Sequence, residues 1–306
     1  GVKRLVLSIS LLGGGAWGST LKHLFGQSGH RVELWRRSNG FDALATLQHS
    51  DLVVCAVAFA GVESLALQLS SWNCNAPLLS CSKGLDPLTG STASQIWQKY
   101  CPQRPLFVLS GPNLAKELAN GLPAASVLAG TDELLLAKLQ KELSSDCLRL
   151  YRNNDPVGTE VAGALKNVIA IAAGVCDGLC LGANARASLL TRGLAEMGLV
   201  IQALGGKAET LYGLAGLGDL LATATSALSR NYRFGNALAE GLTTSAALER
   251  IGAIVEGVPT CEAVLALAAK KHLSLPIATE VQQLVEGRCD PRRALQKLME
   301  RELRHE

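Results

Sequence analysis

Lys166 is the residue of this sequence whose surroundings point most directly to chemistry. It is the only formal charge between Glu160 and Asp177, in a stretch that is otherwise strongly apolar. A lysine there either extends its ammonium group to solvent along its aliphatic stem or lies desolvated in a site with a lowered pKa. Asn167 adds a second polar side chain, which needs a hydrogen-bond partner if it is buried. The pair therefore favours a site.

A buried lysine can act as a proton donor. Reduction of a ketone by hydride transfer places negative charge on the carbonyl oxygen, which then needs a donor whose pKa is near the operating pH. Histidine is a common choice, but the sequence has none between His49 and His272. Lys166 is the best candidate, because burial lowers an ammonium pKa from about 10.4 towards neutrality. Asp219 could orient it or balance part of its charge, which would raise that pKa again.

Two further motifs could bind an anionic group. Ser229, Arg230 and Asn231 combine a hydroxyl, a forked guanidinium and an amide near a predicted helix start, which is typical of a phosphate site. The alternative is a structural N-cap beside a solvated arginine. Lys83 follows a predicted strand, where ligands bind in open α/β sheets, although an exposed loop lysine would look the same. A phosphate clamp of Arg230, with Asn231 and Lys83, would orient a carbonyl for reaction.

A glycine-rich turn predicts a dinucleotide site. The predicted strand 5–12 is followed at once by Gly13, Gly15 and Gly18 in G-x-G-x-x-G spacing, and then by a predicted helix, 19–27. In such a turn the glycines permit the sharp bend, the approach of a pyrophosphate and close helix–strand packing. The helix N-terminus would offer free N–H groups to the phosphates.

The residues after the second predicted strand bear on which dinucleotide binds. Residues 31–35 form that strand, and Arg36 and Arg37 follow it. An NAD site usually has a carboxylate there for the ribose 2′-hydroxyl, whereas arginine accommodates a 2′-phosphate. Glu33 lies inside the strand and is discounted. The pattern favours NADP(H), with NAD(H) as the alternative, unless both arginines are simply solvated.

The remaining pattern predicts two domains. Strands alternate with helices up to about residue 152, which indicates a Rossmann-type α/β dinucleotide-binding domain over 1–152. An all-α substrate and catalytic domain follows over 153–306. The predicted strands are 5–12, 31–35, 51–57, 77–81, 105–109, 124–129 and 148–151. The predicted helices of the second domain are 157–175, 186–204, 207–213, 219–227, 231–240, 244–251, 260–271 and 277–286.

Composition excludes several other classes. A formal charge of +3 without basic runs argues against a nucleic-acid partner. The apolar run 168–176 ends too early for membrane insertion, which needs about 18 or more apolar residues. Nine cysteines without a C-x-x-C pair indicate reduced core residues of a cytoplasmic protein. The five histidines do not cluster with them, so we expect no metal.

Several short blocks follow one another along nearly the whole chain: Gly13–Gly18, Ser82–Gly84, Leu109–Pro112, Ala115–Glu117, Gly163–Val168, Gly216–Leu220, Ser229–Asn231 and Val255–Gly257. Together and in this order they resemble the bacterial type of NAD(P)-dependent glycerol-3-phosphate dehydrogenase. The resemblance implies reversible reduction of dihydroxyacetone phosphate to sn-glycerol 3-phosphate, which supplies glycerophospholipid synthesis. A homodimer is a further expectation of the family.

The resemblance also implies roles for single residues. Lys166 corresponds to the general acid and base, beside Asn167 and Asp219. Substrate positions correspond to Lys83, Gly111, Asn113, Asp219, Ser229, Arg230 and Asn231. Cofactor positions correspond to Gly13, Gly15, Ala16, Trp17, Gly18, Arg36, Arg37, Lys83, Ala115, Arg230 and Glu256.

Three departures from the family pattern stand out. The connection 38–50 is short, so we expect the adenosine end to be covered differently. Ala58 and Phe59 stand where the family commonly has alanine or valine followed by proline and a small residue, so we expect a different turn near the nicotinamide position. Asn113 and Leu114 replace a hydroxyl residue and phenylalanine, which alters a substrate contact.

Two other functions remain open on the motifs. A dehydrogenase of the 3-hydroxyacid or 6-phosphogluconate type would share the cofactor fold and a lysine–asparagine pair. It would not readily explain Asp219 followed by Arg230. A non-catalytic dinucleotide sensor would have no reason to keep Lys166 with those two residues.

Overall fold

The computed structural model describes residues 4–300, and its first half is built on one seven-stranded sheet. The strand order is β2-β1-β3-β4-β5-β6-β7, and every neighbouring pair is parallel except β5 and β6. The strands are β1 (Ser8–Leu12), β2 (Arg31–Trp35), β3 (Leu52–Cys55), β4 (Leu78–Ser80), β5 (Leu106–Ser110), β6 (Ala124–Ala129) and β7 (Leu148–Asn153).

Helices cover both faces of this sheet. They are α1 (Ala16–Gln27), α2 (Val62–Leu69), α3 (Ala93–Tyr100), α4 (Ala115–Ala119) and α5 (Glu133–Leu143). Successive strand residues point to opposite faces, so Leu11 packs in the apolar cluster that contains Phe25, and Leu12 packs in the one that contains Trp97. The inner strands β1, β3, β4 and β5 are accordingly buried on both sides, as is usual in parallel sheets, whereas the edge strands β2 and β7 have exposed residues. Their carboxyl ends share one edge, where Leu12 of β1 is level with Trp35 of β2 and Cys55 of β3.

The second half is helical, with no strand after β7 in residues 154–300. Its helices are α6 (Pro156–Gly178), α7 (Ala183–Ala203), α8 (Asp219–Ala224), α9 (Arg230–Ala239), α10 (Thr244–Ile251), α11 (Gly257–Lys271), α12 (Pro276–Val285) and α13 (Pro291–Met299). The fold class is therefore the predicted one, a Rossmann-type α/β part followed by an all-α part.

Helix α6 is the centre of the helical half. Asp155 caps it by accepting from the Gly158 N–H at 3.0 Å, and a proline occupies its first turn. All residues from Gly158 to Cys176 are buried. A Cβ at Gly174 would overlap the Tyr232 carbonyl of α9, and a Cβ at Gly235 would overlap the Ile171 carbonyl. Glycine at both positions therefore lets the two helix backbones touch.

The length and composition of α6 would also suit a membrane span. Within residues 4–300, Pro156–Gly178 alone is long and apolar enough, and 89% of its apolar window is buried inside the protein. Such burial is what a core helix shows, because its apolar surface is already covered by α7, α8, α9 and α11.

Several predicted boundaries were wrong. Strand β1 begins at Ser8, and Leu5 and Val6 before it are exposed. Helix α1 begins at Ala16, inside the glycine motif. The segment 207–213 forms a short 3-10 helix over Ala208–Tyr212, and the helix expected at 219–227 ends at Ala224. Helices α3, α5 and α13 were not predicted.

Candidate active site

The β1–α1 turn has the backbone geometry that close approach of a diphosphate requires. Gly13 has φ +120°, and a Cβ there would lie 2.7 Å from the Ala56 carbonyl carbon. A Cβ at Gly18 would overlap the Gly13 carbonyl oxygen. Gly15, the N-cap of α1, faces open space, with no atom within 4 Å of a Cβ placed on it. No side chain caps α1, so its first N–H groups are free for phosphate oxygens, and Ala16 and Trp17 supply two of them.

Arg36 and Arg37 lie at the end of β2, beside this turn. The Arg36 guanidinium donates to the Gly14 carbonyl oxygen at 2.8 Å and packs over that glycine. The Arg36 N–H donates to the Asn39 side chain at 2.7 Å, which fixes the start of the following turn. Both arginines are exposed. The Arg36 charge thus lies at the turn, Arg37 adds a second exposed arginine next to it in the chain, and no carboxylate follows the strand directly.

Lys166, Asp219 and Lys83 form a buried charge cluster. The Lys166 Nζ lies 2.5 Å from Asp219 Oδ1, and the Lys83 Nζ lies 3.6 Å from Asp219 Oδ2. The Asp219 residue is 1% exposed and Lys166 is 8% exposed. Thr223, one turn further along α8, donates its hydroxyl to the same Asp219 oxygen at 3.2 Å. Three segments that are distant in sequence therefore meet at one carboxylate.

Desolvation dominates the protonation of Lys166. Burial lowers the pKa of its ammonium group to about 8, the nearby Asp219 carboxylate raises it, and the nearby Lys83 ammonium lowers it. The result is a lysine that changes protonation near neutral pH. This is the direction that the apolar sequence around Lys166 predicted.

Glycines bring the segments of the charge cluster together. A Cβ at Gly163, one turn before Lys166, would lie 3.0 Å from the Lys83 Cδ, so the bare helix surface gives the lysine stem its path. Asp219 begins α8 directly after a π-helical turn, Leu214–Gly218. A Cβ at Gly216 in that turn would overlap the Leu211 carbonyl. Such turns are frequent at functional sites.

Asn167 and Asn231 form a buried amide pair next to the cluster. The Asn231 Nδ2 donates to Asn167 Oδ1 at 3.0 Å, and Asn231 Oδ1 accepts from the Gly257 N–H at 2.9 Å. The pair joins α6, α9 and the start of α11. The Asn167 amide nitrogen has no partner among residues 4–300, so it can donate to a ligand.

The remaining residues of the predicted phosphate motif have different environments. The Ser229 hydroxyl accepts from the Tyr232 N–H at 3.2 Å and caps α9. The Arg230 guanidinium is exposed, and its charge lowers the pKa of Glu256, which burial raises. Glu256 also accepts from the Phe59 N–H at 3.4 Å. Arg230 thus lies between solvent and a carboxylate that contacts the α/β half.

Gly111, Asn113 and Ala115 lie after β5. Gly111 has φ +152°, and a Cβ there would be 2.8 Å from the Ser126 Cα of β6. The Asn113 Nδ2 donates to the Ser126 hydroxyl at 3.2 Å, so this amide is directed towards β6. Ala115 begins α4, and its carbonyl accepts from Thr20 of α1 at 3.5 Å. Ala115 therefore lies against α1, whereas Gly111 and Asn113 contact β6, and the structure records no direct contact between these three residues and Lys166.

Some residues at the site were not predicted. Gly163, Phe59 and Thr223 each contact the charge cluster or its supporting turn, yet they are common residues without a charge. The one available signal for Thr223 is its position four residues after Asp219, which places both on one helix face. No group of three or more metal-binding side chains occurs in the described part of the chain, residues 4–300.

Known proteins match this chain over nearly its full length. Residues 155–296 match the family described as NAD-dependent glycerol-3-phosphate dehydrogenase C-terminus, and residues 38–135 match its N-terminus. A glycerol-3-phosphate dehydrogenase of Synechococcus sp. strain RCC307, named as using NAD(P)+, is 62% identical over 99% of this chain and 100% of its own. The chain belongs to the glycerol-3-phosphate dehydrogenase family.

Solved structures agree with this family assignment. The crystal structure of glycerol-3-phosphate dehydrogenase from Coxiella burnetii is 35% identical, with a TM-score of 0.91 over 97% of this chain and 99% of that one. D-mandelate dehydrogenase is 13% identical, with a TM-score of 0.60 over 92% of this chain and 98% of that one, which shows a shared fold alone. The same fold therefore also occurs outside the glycerol-3-phosphate dehydrogenase family, so the substrate has to be inferred from the residues of the site.

Proposed function

We propose that this chain is an NAD(P)-dependent glycerol-3-phosphate dehydrogenase that interconverts dihydroxyacetone phosphate and sn-glycerol 3-phosphate, a precursor of glycerophospholipids. The observation that carries the proposal is the buried contact of Lys166 with Asp219 at 2.5 Å, with Lys83 on the other carboxylate oxygen at 3.6 Å. The 62% identity to a relative of that name supports the choice of substrate. Nine free cysteines fit a reducing compartment, and we place the enzyme in the cytoplasm.

The proposed chemistry needs one proton and one oriented carbonyl. When bound, the nicotinamide cofactor supplies the hydride that reduces the carbonyl carbon. The Lys166 ammonium donates a proton to the carbonyl oxygen and becomes a neutral amine, which solvent then reprotonates. A pKa of about 8 suits this exchange, because both protonation states are accessible near neutral pH. Asp219 holds the Lys166 Nζ in place through their hydrogen bond.

The substrate phosphate needs cationic and amide partners. Arg230, at the start of α9, presents an exposed guanidinium, and Lys83 brings a second positive charge to within 3.6 Å of Asp219. We assign these two residues, with the Asn167 and Asn231 amides, to the phosphate and hydroxyl groups of the substrate. Ser229, Gly111 and Asn113 complete the proposed substrate set. Anchoring the phosphate orients the carbonyl, which accelerates the reaction.

The two alternative functions account for fewer residues of the site. A 3-hydroxyacid dehydrogenase would account for the fold and for the Lys166–Asn167 pair. It would leave the buried Asp219 and the exposed Arg230 without a role. A non-catalytic sensor would have no need for a lysine whose pKa burial lowers to about 8.

A direct absorbance assay of the cofactor tests the proposed function. Purified protein is mixed with dihydroxyacetone phosphate and NADPH or NADH, and the cofactor absorbance is followed between pH 6 and 9. We expect oxidation of the reduced cofactor that depends on the phosphorylated ketone and is absent with unphosphorylated dihydroxyacetone. Absence of turnover with both cofactors at every pH would refute the proposal.

We further propose that NADP(H) is the preferred cofactor, with NAD(H) accepted less well. The support is the pair Arg36 and Arg37 at the end of β2, of which Arg36 contacts the glycine turn; a carboxylate at this position would favour the ribose of NAD(H). Arg37→Ala should raise the KM for NADPH several-fold, on the order of one lost charge-assisted contact, and leave the KM for NADH nearly unchanged. Arg31→Ala, at the opposite end of β2, is the matched control. Equal effects on both cofactors would contradict the preference.

A further inference from the structure

Phe59 contacts the backbone of the turn that carries Lys83. It begins a short 3-10 helix, Phe59–Gly61, after β3. Its ring lies against Gly84, where a Cβ would be 2.5 Å from the ring Cγ and 2.8 Å from Cδ2. Gly84 follows Lys83 directly, so the ring covers the peptide next to this lysine. The absence of a side chain at Gly84 is what allows the approach.

Two hydrogen bonds hold the segment that carries Phe59. The Ser82 hydroxyl, on the other side of Lys83, donates to the Val57 carbonyl at 2.6 Å. The Phe59 N–H donates to Glu256 at the start of α11, at 3.4 Å. The Phe59 turn is thus held by the helical half on one side and holds the Lys83 turn on the other.

The position of the Lys83 ammonium group depends on that turn. Its stem crosses Gly163 of α6, with the Cε 3.2 Å from a Cβ placed on that glycine. Its Nζ is 3.6 Å from Asp219 Oδ2, an oxygen that accepts no hydrogen bond within residues 4–300. A shift of the turn by one or two ångströms would therefore separate the ammonium group from the carboxylate.

We propose that Phe59 is a positioning residue, whose ring holds the Lys83 turn so that the Lys83 ammonium group stays beside Asp219 and Lys166. The consequence for turnover rests on the proposed function, whereas the consequence for the electrostatics of the cluster does not. Phe59 acts through Lys83 and has no role in proton or hydride transfer.

The electrostatics of Lys166 report the position of Lys83. Asp219 on α8 raises the pKa of Lys166, and Lys83 lowers it. From α9 and α11 the neighbouring groups are the neutral Asn231 amide and the Gly257 backbone, while Arg230 and Glu256 interact with each other. Moving Lys83 away removes one positive charge, so the pKa of Lys166 should rise.

The test is the pH dependence of trace acetylation at Lys166, measured by mass spectrometry on the folded protein. Phe59→Ala should raise the apparent pKa of Lys166 by about half a unit or more, and Phe59→Leu, which keeps an apolar side chain, should restore most of the wild-type value. Leu88→Ala, on the exposed part of the same β4–α3 connection, is the control and should leave it unchanged. An identical pKa in the wild type and in Phe59→Ala would overturn the proposal.

A second variant and a kinetic measurement complete the test. In Gly84→Ala the added Cβ displaces the Phe59 ring, so this variant should also raise the pKa of Lys166. If circular dichroism shows that Phe59→Ala is unfolded, the pKa of Lys166 in Gly84→Ala tests the role of Phe59 instead. With dihydroxyacetone phosphate, Phe59→Ala should lower kcat/KM by about tenfold or more and move the basic limb of the pH profile for reduction upwards. An unchanged profile would overturn the role of Phe59. Inactive wild-type protein would instead refute the proposed function, and the acetylation result would still decide the role of Phe59.

Discussion

At the scale of single residues, burial and the neighbouring carboxylate have opposing effects on the pKa of Lys166. Burial alone would favour the neutral amine, and the single carboxylate of Asp219 partly reverses this. The second ammonium, Lys83, acts in the opposite direction. The protonation of Lys166 is therefore set by burial first and then by two charged neighbours, each of which can be removed separately.

Asp219→Asn tests this balance. Removing the carboxylate charge should lower the pKa of Lys166 further below about 8, because the raising influence is lost and that of Lys83 remains. The protonated lysine is the donor in ketone reduction, so the basic limb of kcat/KM should move to lower pH, and the maximum should fall by about 10²-fold or more. Asp146→Asn, on an exposed carboxylate, is the control. A basic limb that moves to higher pH would contradict the account.

The charged residues, the amides and the glycine turn of the site were predictable from the sequence, and the uncharged residues that position Lys83 were not. Lys166 stands out because apolar residues surround it, and Asp219 and Arg230 stand out because few other charges lie near them. The sequence marks Phe59 only as a departure from the family pattern and Gly163 only as part of a matching block, and neither observation predicts a contact with Lys83 or its turn. Their importance comes from which backbone they contact, and only the fold determines that.

At the scale of elements, the glycine turn shows what a motif does and does not specify. The spacing predicts a strand, a turn and a helix, and all three are present. Helix α1 begins at Ala16, earlier than predicted, so Gly18 lies within its first turn. The three glycines meet different surroundings, with backbone around Gly13 and Gly18 and open space beside Gly15. The sequence motif alone cannot distinguish packing from ligand access.

Two alanine substitutions on α1 separate these effects. A Cβ at Gly18 would overlap the Gly13 carbonyl, so Gly18→Ala should reduce the free energy of unfolding by about 1–3 kcal/mol and weaken NADPH binding. Gly26→Ala is matched to it on the same helix, and no atom lies within 4 Å of the added Cβ. It should be neutral or stabilise by up to about 1 kcal/mol. Urea unfolding measures the free energy of unfolding of each variant, and cofactor fluorescence measures its affinity for NADPH. Equal effects of the two substitutions would argue against close packing at Gly18.

At the scale of the whole molecule, helix α6 joins the two halves through a row of residues on one side. Glu160, 1% exposed, accepts from the Ser94 N–H and, at 2.7 Å, from the Ser94 hydroxyl at the start of α3. Gly163 supports the Lys83 stem, and Lys166 contacts Asp219. The same helix thus connects to the α/β half near its N-terminus and carries the proposed proton donor near its middle.

The buried carboxyl of Glu160 should make stability depend on pH. Burial raises its pKa from 4.5 to about 7, so its contribution to folding is fully present below about pH 4.5 and is lost as the pH rises through about 7. The wild type should therefore lose stability relative to Glu160→Gln between pH 5 and pH 8. Urea unfolding at both pH values measures the difference, and Glu249→Gln on α10 controls for the loss of one exposed carboxylate. A difference that moves in favour of the wild type as the pH rises would contradict the raised pKa.

The measurement that tests the central claim most directly compares turnover and cofactor binding in Lys166→Ala. We expect the rate of dihydroxyacetone phosphate reduction to fall by about 10²–10⁴-fold, because the proton donor is lost. NADPH, measured by fluorescence titration, should still bind with nearly the wild-type affinity, because the glycine turn, Arg36 and Arg37 form no hydrogen bond or ion pair with Lys166 within residues 4–300. Turnover close to that of the wild type, or loss of NADPH binding together with turnover, would contradict the assignment of Lys166 as the catalytic acid.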